Sequence, residues 1–334
     1  MMSYEEIIKE LKSGTYRPIY FLMGEEPYFI DVISDYIAKH ALSEADKGFN
    51  QIVMYGKDTD AIGITHAARK YPMMAQRQVV IVKEAQNIKE IEDLATYVEK
   101  PLNSTILVIC YKYKSLDKRK KLGKLVEKSG VLFESKKLYD NQIPKWIEGY
   151  AKSIGLSLDA KATLLLAEFL GSDLSGIVSS IEKLKVAVPQ GTGVITADLI
   201  ERNIGFSKDY NNFELQNALT NRDILKASKI VKAFSQNIKA NPLQLTIVTL
   251  FGFFQKLLAY HYLPDKSQGA VASALKINPY FVKDYATAAK QYNARKVVQI
   301  ISLLRQYDMK SKGFESASTD GGELLSELIF KIMH

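Results

Sequence analysis

Phosphate chemistry in this chain would have to begin at Gly24. This residue follows the apolar run PIYFLM (18–23) and precedes a helical pattern from Pro27 to Ala41. A strand that turns into a helix is where nucleotide-binding folds hold phosphate, using backbone amides and a lysine. Counted from Gly24, such a loop needs glycine at 29, lysine at 30 and Ser or Thr at 31. The chain has Phe29, Ile30 and Asp31 there, with Glu25 and Glu26 in the turn. Phe29 and Ile30 belong to the apolar helix face with Ile33, Ile37 and Ala41, and the two glutamates would repel a triphosphate. The strand VVIVKEA gives a second test. Enzymes of this kind place a magnesium-binding acid at that point, whereas here Lys83 comes before Glu84, and a lysine opposes the metal. The expectation is a degenerate nucleotide site at Gly24, Phe29, Ile30, Asp31, Lys83 and Glu84. The pattern alone equally admits a corner that never held phosphate.

No other catalytic set stands out. His40, His66, His261 and His334 are scattered without metal-ligand spacing, and H-E-x-x-H, G-x-S-x-G and G-x-G-x-x-G are absent. The single cysteine, Cys110, rules out an internal disulfide and a zinc site of several thiolates. No catalytic residue, metal or cofactor is therefore expected, and the cysteine usage suits a cytoplasmic address.

Two features remain. In Tyr71-Pro72-Met73-Met74-Ala75-Gln76-Arg77, Pro72 interrupts a preceding helical pattern and two methionines follow. Adjacent side chains on a regular element point in different directions, so one core cannot bury both. The pair is either a plug at the sheet edge or an adaptable contact surface, a use that suits flexible, polarizable methionine. The second feature is a basic stretch, Lys112, Lys114, Lys118, Arg119, Lys120, Lys121, Lys124 and Lys128. Leu116, Leu122, Leu125 and Val126 supply its buried face. It reads as a solvated helix face or, at Lys118, Arg119, Lys120 and Lys121, as a contact for DNA or a partner. No aromatics interleave with it, so base stacking is not indicated.

These features need a scaffold. Strand patterns at 18–23, 51–55, 78–82, 104–110 and 131–135 alternate with helical patterns at Pro27–Ala41, about 60–71, a stretch carrying Ile88, Ile91, Ala95 and Val98, and about 117–129. Such alternation predicts an α/β domain on a parallel five-stranded sheet covered on both faces. Beyond Tyr139 only helical stripes follow, which predicts two all-α domains. The expected boundaries are 1–140, 141–207 and 208–334, and Pro242 opens a helix that is apolar nearly all round, to about Leu263. No run of about 18 uncharged apolar residues occurs, and the N-terminus has no signal-peptide pattern. With 47% hydrophobic and 25% charged residues the chain is of globular type. Its net charge of +8 permits binding to phosphate or acidic partners without requiring it.

The stretches IYFLMGEEPYFID, YPMMAQRQVVIVKEA, STILVICYKYKSLDKRKKL, KLYDNQIPKWI, NNFELQNAL and RQYDMKSKGF resemble, in that order, the delta family of bacterial clamp loaders, within DNA polymerase III. The resemblance implies an AAA+-like domain that has lost its ATP site, a small helical lid, and a helical collar that joins subunits in a ring. It implies as partners the sliding clamp (beta), the ATPase subunits (gamma/tau), delta-prime and primed DNA, with no membrane. It also implies a short projecting helix whose two adjacent apolar residues enter a pocket on the clamp. Those positions fall on Met73 and Met74, after Pro72, where the commoner pair is of Leu-Phe type. The Ser-Arg-Cys arginine-finger motif of related ring members is absent. The implied function is mechanical: to bind and open the clamp for loading onto primed DNA. An active AAA+ ATPase and a basic DNA-binding module are the rival classes.

Overall fold

The structure, a computed structural model, describes residues 2–334 apart from 190, 206, 208, 240, 278 and 315–319. The chain divides into two compact units, 1–138 and 139–334.

In the first unit the apolar runs form strands β1 (Ile19–Gly24), β2 (Gln51–Tyr55), β3 (Gln78–Lys83), β4 (Thr105–Lys112) and β5 (Val131–Ser135). All pair in parallel, in the order β2-β3-β4-β1-β5. Side chains alternate across the pleat, so β1, β3, β4 and β5 feed two cores. Tyr20, Leu22, Val79, Ile81, Val108 and Phe133 meet helices α1 (Tyr4–Lys12) and α2 (Pro27–His40). Phe21, Met23, Val80, Val82 and Ile109 meet α4 (Ala61–Ala68), α5 (Ala95–Val98) and α6 (Lys121–Ser129) on the other face. A short helix, α3 (Glu44–Asn50), leads into β2. As the sheet edge, β2 is the strand that is not buried, and its Val53 and Tyr55 are exposed.

Three helices differ from their sequence patterns. The pattern at 60–71 gives a helix only from Ala61 to Ala68, and Tyr71 lies beyond it, exposed. The reason is a buried side-chain cap: Gln78 Nε2 donates to the carbonyls of Ala67 and Ala68 at 3.3 Å and also to that of Lys70. Thr105 Oγ1 and Tyr97 OH add hydrogen bonds to the Ala68 carbonyl. The C-terminal carbonyls orphaned by any helix end are thereby satisfied. The stretch carrying Ile88 to Val98 forms two 3₁₀ turns, Ala85–Asn87 and Ile91–Leu94, before α5. The basic pattern from 117 becomes helical only at Lys121, so Lys118, Arg119 and Lys120 precede α6 rather than cover it.

The second unit holds α7 (Ile143–Ser153), α8 (Ala160–Leu170), α9 (Leu174–Ala187) and α10 (Ala197–Ile204). A two-residue parallel pair, Ser157–Leu158 with Val194–Ile195, lies among them. There follow α11 (Asn212–Thr220), α12 (Ile224–Gln236), α13 (Leu243–Tyr262), α14 (Gln268–Leu275), α15 (Val282–Gln291), α16 (Ala294–Ser311) and α17 (Gly321–Met333). The buried apolar residues from Leu215 to Met333 form one contiguous cluster. Glu168 on α8 accepts the Phe213 N–H at 2.8 Å, and Lys161 pairs with Glu214 at 3.3 Å, which ties α8 to α11. The expected division at 207/208 falls beside residues 206 and 208, outside the described ones.

Among the described residues α13 alone is long and apolar enough to span a membrane. It is not buried all round: Leu243, Ile247, Leu250, Phe254 and Leu257 face the core, while Leu245, Val248 and Tyr262 are exposed.

Candidate functional site

The C-terminal ends of parallel strands are where α/β sheets hold ligands. Here Gly24 ends β1 in register with Lys112 on β4 and Ser135 on β5. Gly24 has φ +124°, and a Cβ on it would meet the Ser135 carbonyl oxygen at 2.1 Å, so only glycine fits this close approach. The turn beyond is closed by hydrogen bonds. The Gly24 N–H reaches the Lys114 carbonyl at 3.1 Å, and Ser135 Oγ donates to the Glu26 carbonyl at 2.7 Å.

A phosphate at this corner would need the free amides of the α2 N-terminus. Pro27 at the first helical position has no N–H, and the Glu26 carboxylate accepts the Tyr28 N–H at 3.0 Å. Glu26 is itself buried, so the anion that caps the helix belongs to the protein. Ile30 points into the core, and Phe29 packs against Tyr4 with ring centroids 4.8 Å apart and planes tilted by 57°. Asp31 pairs with Lys112 at 2.8 Å, Glu84 stands 3.6 Å from the same ammonium, and Lys83 reaches Asp35 at 3.4 Å. Burial works against the charge on Lys112, but Asp31 and then Glu84 more than offset it and hold its pKa above the ordinary value. The charged groups at the strand ends thus satisfy one another. The isolated chain should show no binding of micromolar ATP by calorimetry, and a measurable micromolar affinity would contradict this reading of the corner. Among the described residues no three His, Cys, Asp or Glu side chains gather as a metal site requires. Cys110 is buried, and burial pushes its thiol up to about 11.

The methionine pair lies elsewhere, on the connection from α4 to β3. Met73 is 62% exposed and Met74 fully so, with Tyr71 also exposed. A projecting helix was implied here, but residues 73–76 form bends. The physical reason is local: Pro72 fixes its own φ and lacks an N–H, and Met74 has φ +54°, in the left-handed region that a helix cannot use. The backbone is nonetheless held. Met73 N–H donates to Asn50 Oδ1 at 2.6 Å, and Asn50 Nδ2 donates to the Met73 carbonyl at 3.0 Å. Arg77 closes the segment with its guanidinium 5.2 Å above the Tyr16 ring. Sequence reasoning passed over Asn50 and the whole of α3. The available signal was Ser43 followed by Asp46: Ser43 Oγ accepts the Asp46 N–H at 3.3 Å and donates to its carboxylate at 2.6 Å.

The four basic candidates each have a carboxylate partner. Lys118 pairs with Glu134 at 2.6 Å, Arg119 with Asp117 at 3.0 Å, Lys120 with Glu92 at 3.8 Å and Lys121 with Glu99 at 2.9 Å. Hydrogen bonds from Arg119 lower the Asp117 carboxyl to about 2. The pairs of Arg119, Lys120 and Lys121 are largely exposed and so contribute little to stability, whereas that of Lys118 is half-buried.

Residues 20–136 match the family described as DNA polymerase III, delta subunit, and residues 209–326 match the C-terminal domain of that subunit. The DNA polymerase III subunit delta of Bacillus subtilis (strain 168) is 27% identical over 323 residues, covering 92% of this chain and 91% of the relative. The solved structure of the Bacillus subtilis DNA clamp loader delta protein superimposes with a TM-score of 0.58 at 25% identity, covering 99% of both chains. A parallel five-stranded α/β unit followed by helices, matched over its full length in this way, defines a protein of the clamp-loader class. Within that class the chain belongs to the DNA polymerase III delta-subunit family.

Proposed function

We propose that this chain is the clamp-loader subunit that binds the sliding clamp and favours its open form during replication, without chemistry of its own. The observation that carries the proposal is the pair Met73 and Met74, two large apolar side chains turned to solvent on a backbone that Asn50 holds fixed. Exposed apolar groups on an ordered segment are what a hydrophobic pocket on a partner requires. Residues 1–140 then form the AAA+-like domain with a closed phosphate corner, 141–207 the lid and 208–334 the collar. The ATPase subunits (gamma/tau) and delta-prime join through the collar, and ATP bound by those partners orders the ring. The wedge shifts the clamp's equilibrium only by its differential affinity for open over closed clamp. A subunit of such a complex works in the cytoplasm on primed DNA.

The direct test is a pull-down of the purified chain with the sliding clamp, and failure to retain the clamp at micromolar concentrations would sink the proposal. The reading as a DNA-binding module is disfavoured by the ion pairs at Lys118, Arg119, Lys120 and Lys121. Replacing all four with Gln should leave clamp binding by the isolated chain unchanged. It should weaken loading on DNA at most modestly, with an effect that shrinks as salt rises. Loss of clamp binding by a variant that still folds would contradict this assignment.

A further inference from the structure

We propose that Asn50 is a positioning residue for the Met73–Met74 contact, a role that rests on the clamp-binding reading above. Asn50 is the last residue of α3 and is almost completely buried. Its amide makes three hydrogen bonds: Nδ2 to the carbonyls of Asp46 at 3.2 Å and Met73 at 3.0 Å, and Oδ1 from the Met73 N–H at 2.6 Å. Toward Met73 it therefore behaves as a peptide group does in a β ladder, offering one acceptor and one donor in a plane. Few side chains can replace it. A carboxylate accepts but cannot donate, and would face two carbonyl oxygens. Glutamine is longer by a methylene. Leucine has the shape and none of the polar atoms.

The hold matters because of the residue that follows. Met74 has φ +54°, which a side chain with a Cβ adopts only where its surroundings over-determine it. Pro72 fixes the residue before Met73, and Asn50 fixes both backbone polar groups of Met73 itself. Between these two constraints the backbone that carries the methionines is held in one conformation before any partner arrives. Released, the segment would sample several conformations, and affinity would fall by the fraction that remains competent.

The experiment uses the full chain and purified sliding clamp, with binding rates measured by surface plasmon resonance and amide exchange measured on the free chain. Asn50→Leu should weaken clamp binding about tenfold, chiefly through slower association, and should remove protection of the Met73 amide. In a Met73→Ala, Met74→Ala background the same change should cost well under threefold of the affinity that remains, because the side chains it positions are gone. A merely structural role would give equal losses in both backgrounds. Asn50→Asp supplies a variant with its own signature. Its protonated carboxyl offers both donor and acceptor, so its clamp affinity relative to the wild type should be near normal at low pH and fall as it ionises. Wild-type affinity in Asn50→Leu, or a flat pH profile for Asn50→Asp relative to the wild type, would overturn the role. If instead Met73→Ala with Met74→Ala binds clamp normally, the contact itself is wrong and this role falls with it.

Discussion

A chain carrying both Met73→Ala and Met74→Ala is expected to lose the sliding clamp while keeping its melting temperature. Side chains at the centre of an interface cost roughly 2 kcal/mol or more when truncated, which is about 30-fold in affinity for each methionine. Their contribution to folding should be small, because Met73 is largely and Met74 wholly exposed in the free chain. A core methionine would behave in the opposite way, losing about 2–5 kcal/mol of stability on truncation to Ala. One pair of measurements, clamp affinity and thermal unfolding, thus separates a contact from a plug. Met74→Asp should be harsher than Met74→Ala, since it would place a carboxylate against an apolar pocket. A double variant that melts far below the wild type yet, when folded, binds clamp normally would refute the wedge.

Deleting residues 208–334 should abolish entry into the loader complex and leave clamp binding by the remaining chain in place. The apolar cluster from Leu215 to Met333 contains no residue of the first unit, and the two cores around the sheet draw only on residues 2–133. Removing the former therefore leaves the support of the methionine segment untouched. A point variant gives the same test in the full chain. Phe254 is completely buried, edge-on to Tyr292 at 5.6 Å, and the Tyr292 hydroxyl donates to the Leu219 carbonyl at 2.9 Å. Phe254→Ala should cost the helical unit about 3–5 kcal/mol through the cavity it leaves. That loss should appear as an earlier unfolding transition and reduced assembly, with clamp affinity preserved. Normal incorporation of the truncated chain into the complex would show that assembly does not depend on the collar.

The five strands were legible because each is an apolar run of β-branched and aromatic residues, and four of the five are buried on both sides of the sheet. β2 was legible too, although it lies at the edge and only Ile52 and Met54 pack inward, because Ile52, Val53, Met54 and Tyr55 make the same kind of apolar run. The closed phosphate corner could be read from residue types at counted positions. Phe29, Ile30, Asp31 and Lys83 are not the residue types that a phosphate loop and its magnesium acid use. What spacing could not supply was the manner of closure: the Glu26 cap is local, but Lys112 meets Asp31, 81 positions earlier, and faces Glu84 from a different strand end.

By itself the sequence determined the class of fold, the departure from a phosphate-loop pattern after β1 and the presence of two adjacent methionines after a proline. Those properties follow from local patterns of size, polarity and backbone preference, which need no knowledge of what lies nearby. Only the tertiary structure decided where α4 stops, because Gln78 from the next strand caps its last carbonyls in addition to the local N–H groups of Arg69 and Lys70. It alone decided that Lys118, Arg119, Lys120 and Lys121 each face a carboxylate, with partners as distant in sequence as Glu92 and Glu99. It also decided that the methionine segment is a fixed bend and not a helix, since the amide that fixes it comes from Asn50, 23 residues earlier. Long-range hydrogen bonds of a single side chain leave no periodicity in the sequence, and so they become visible only once the chain has folded.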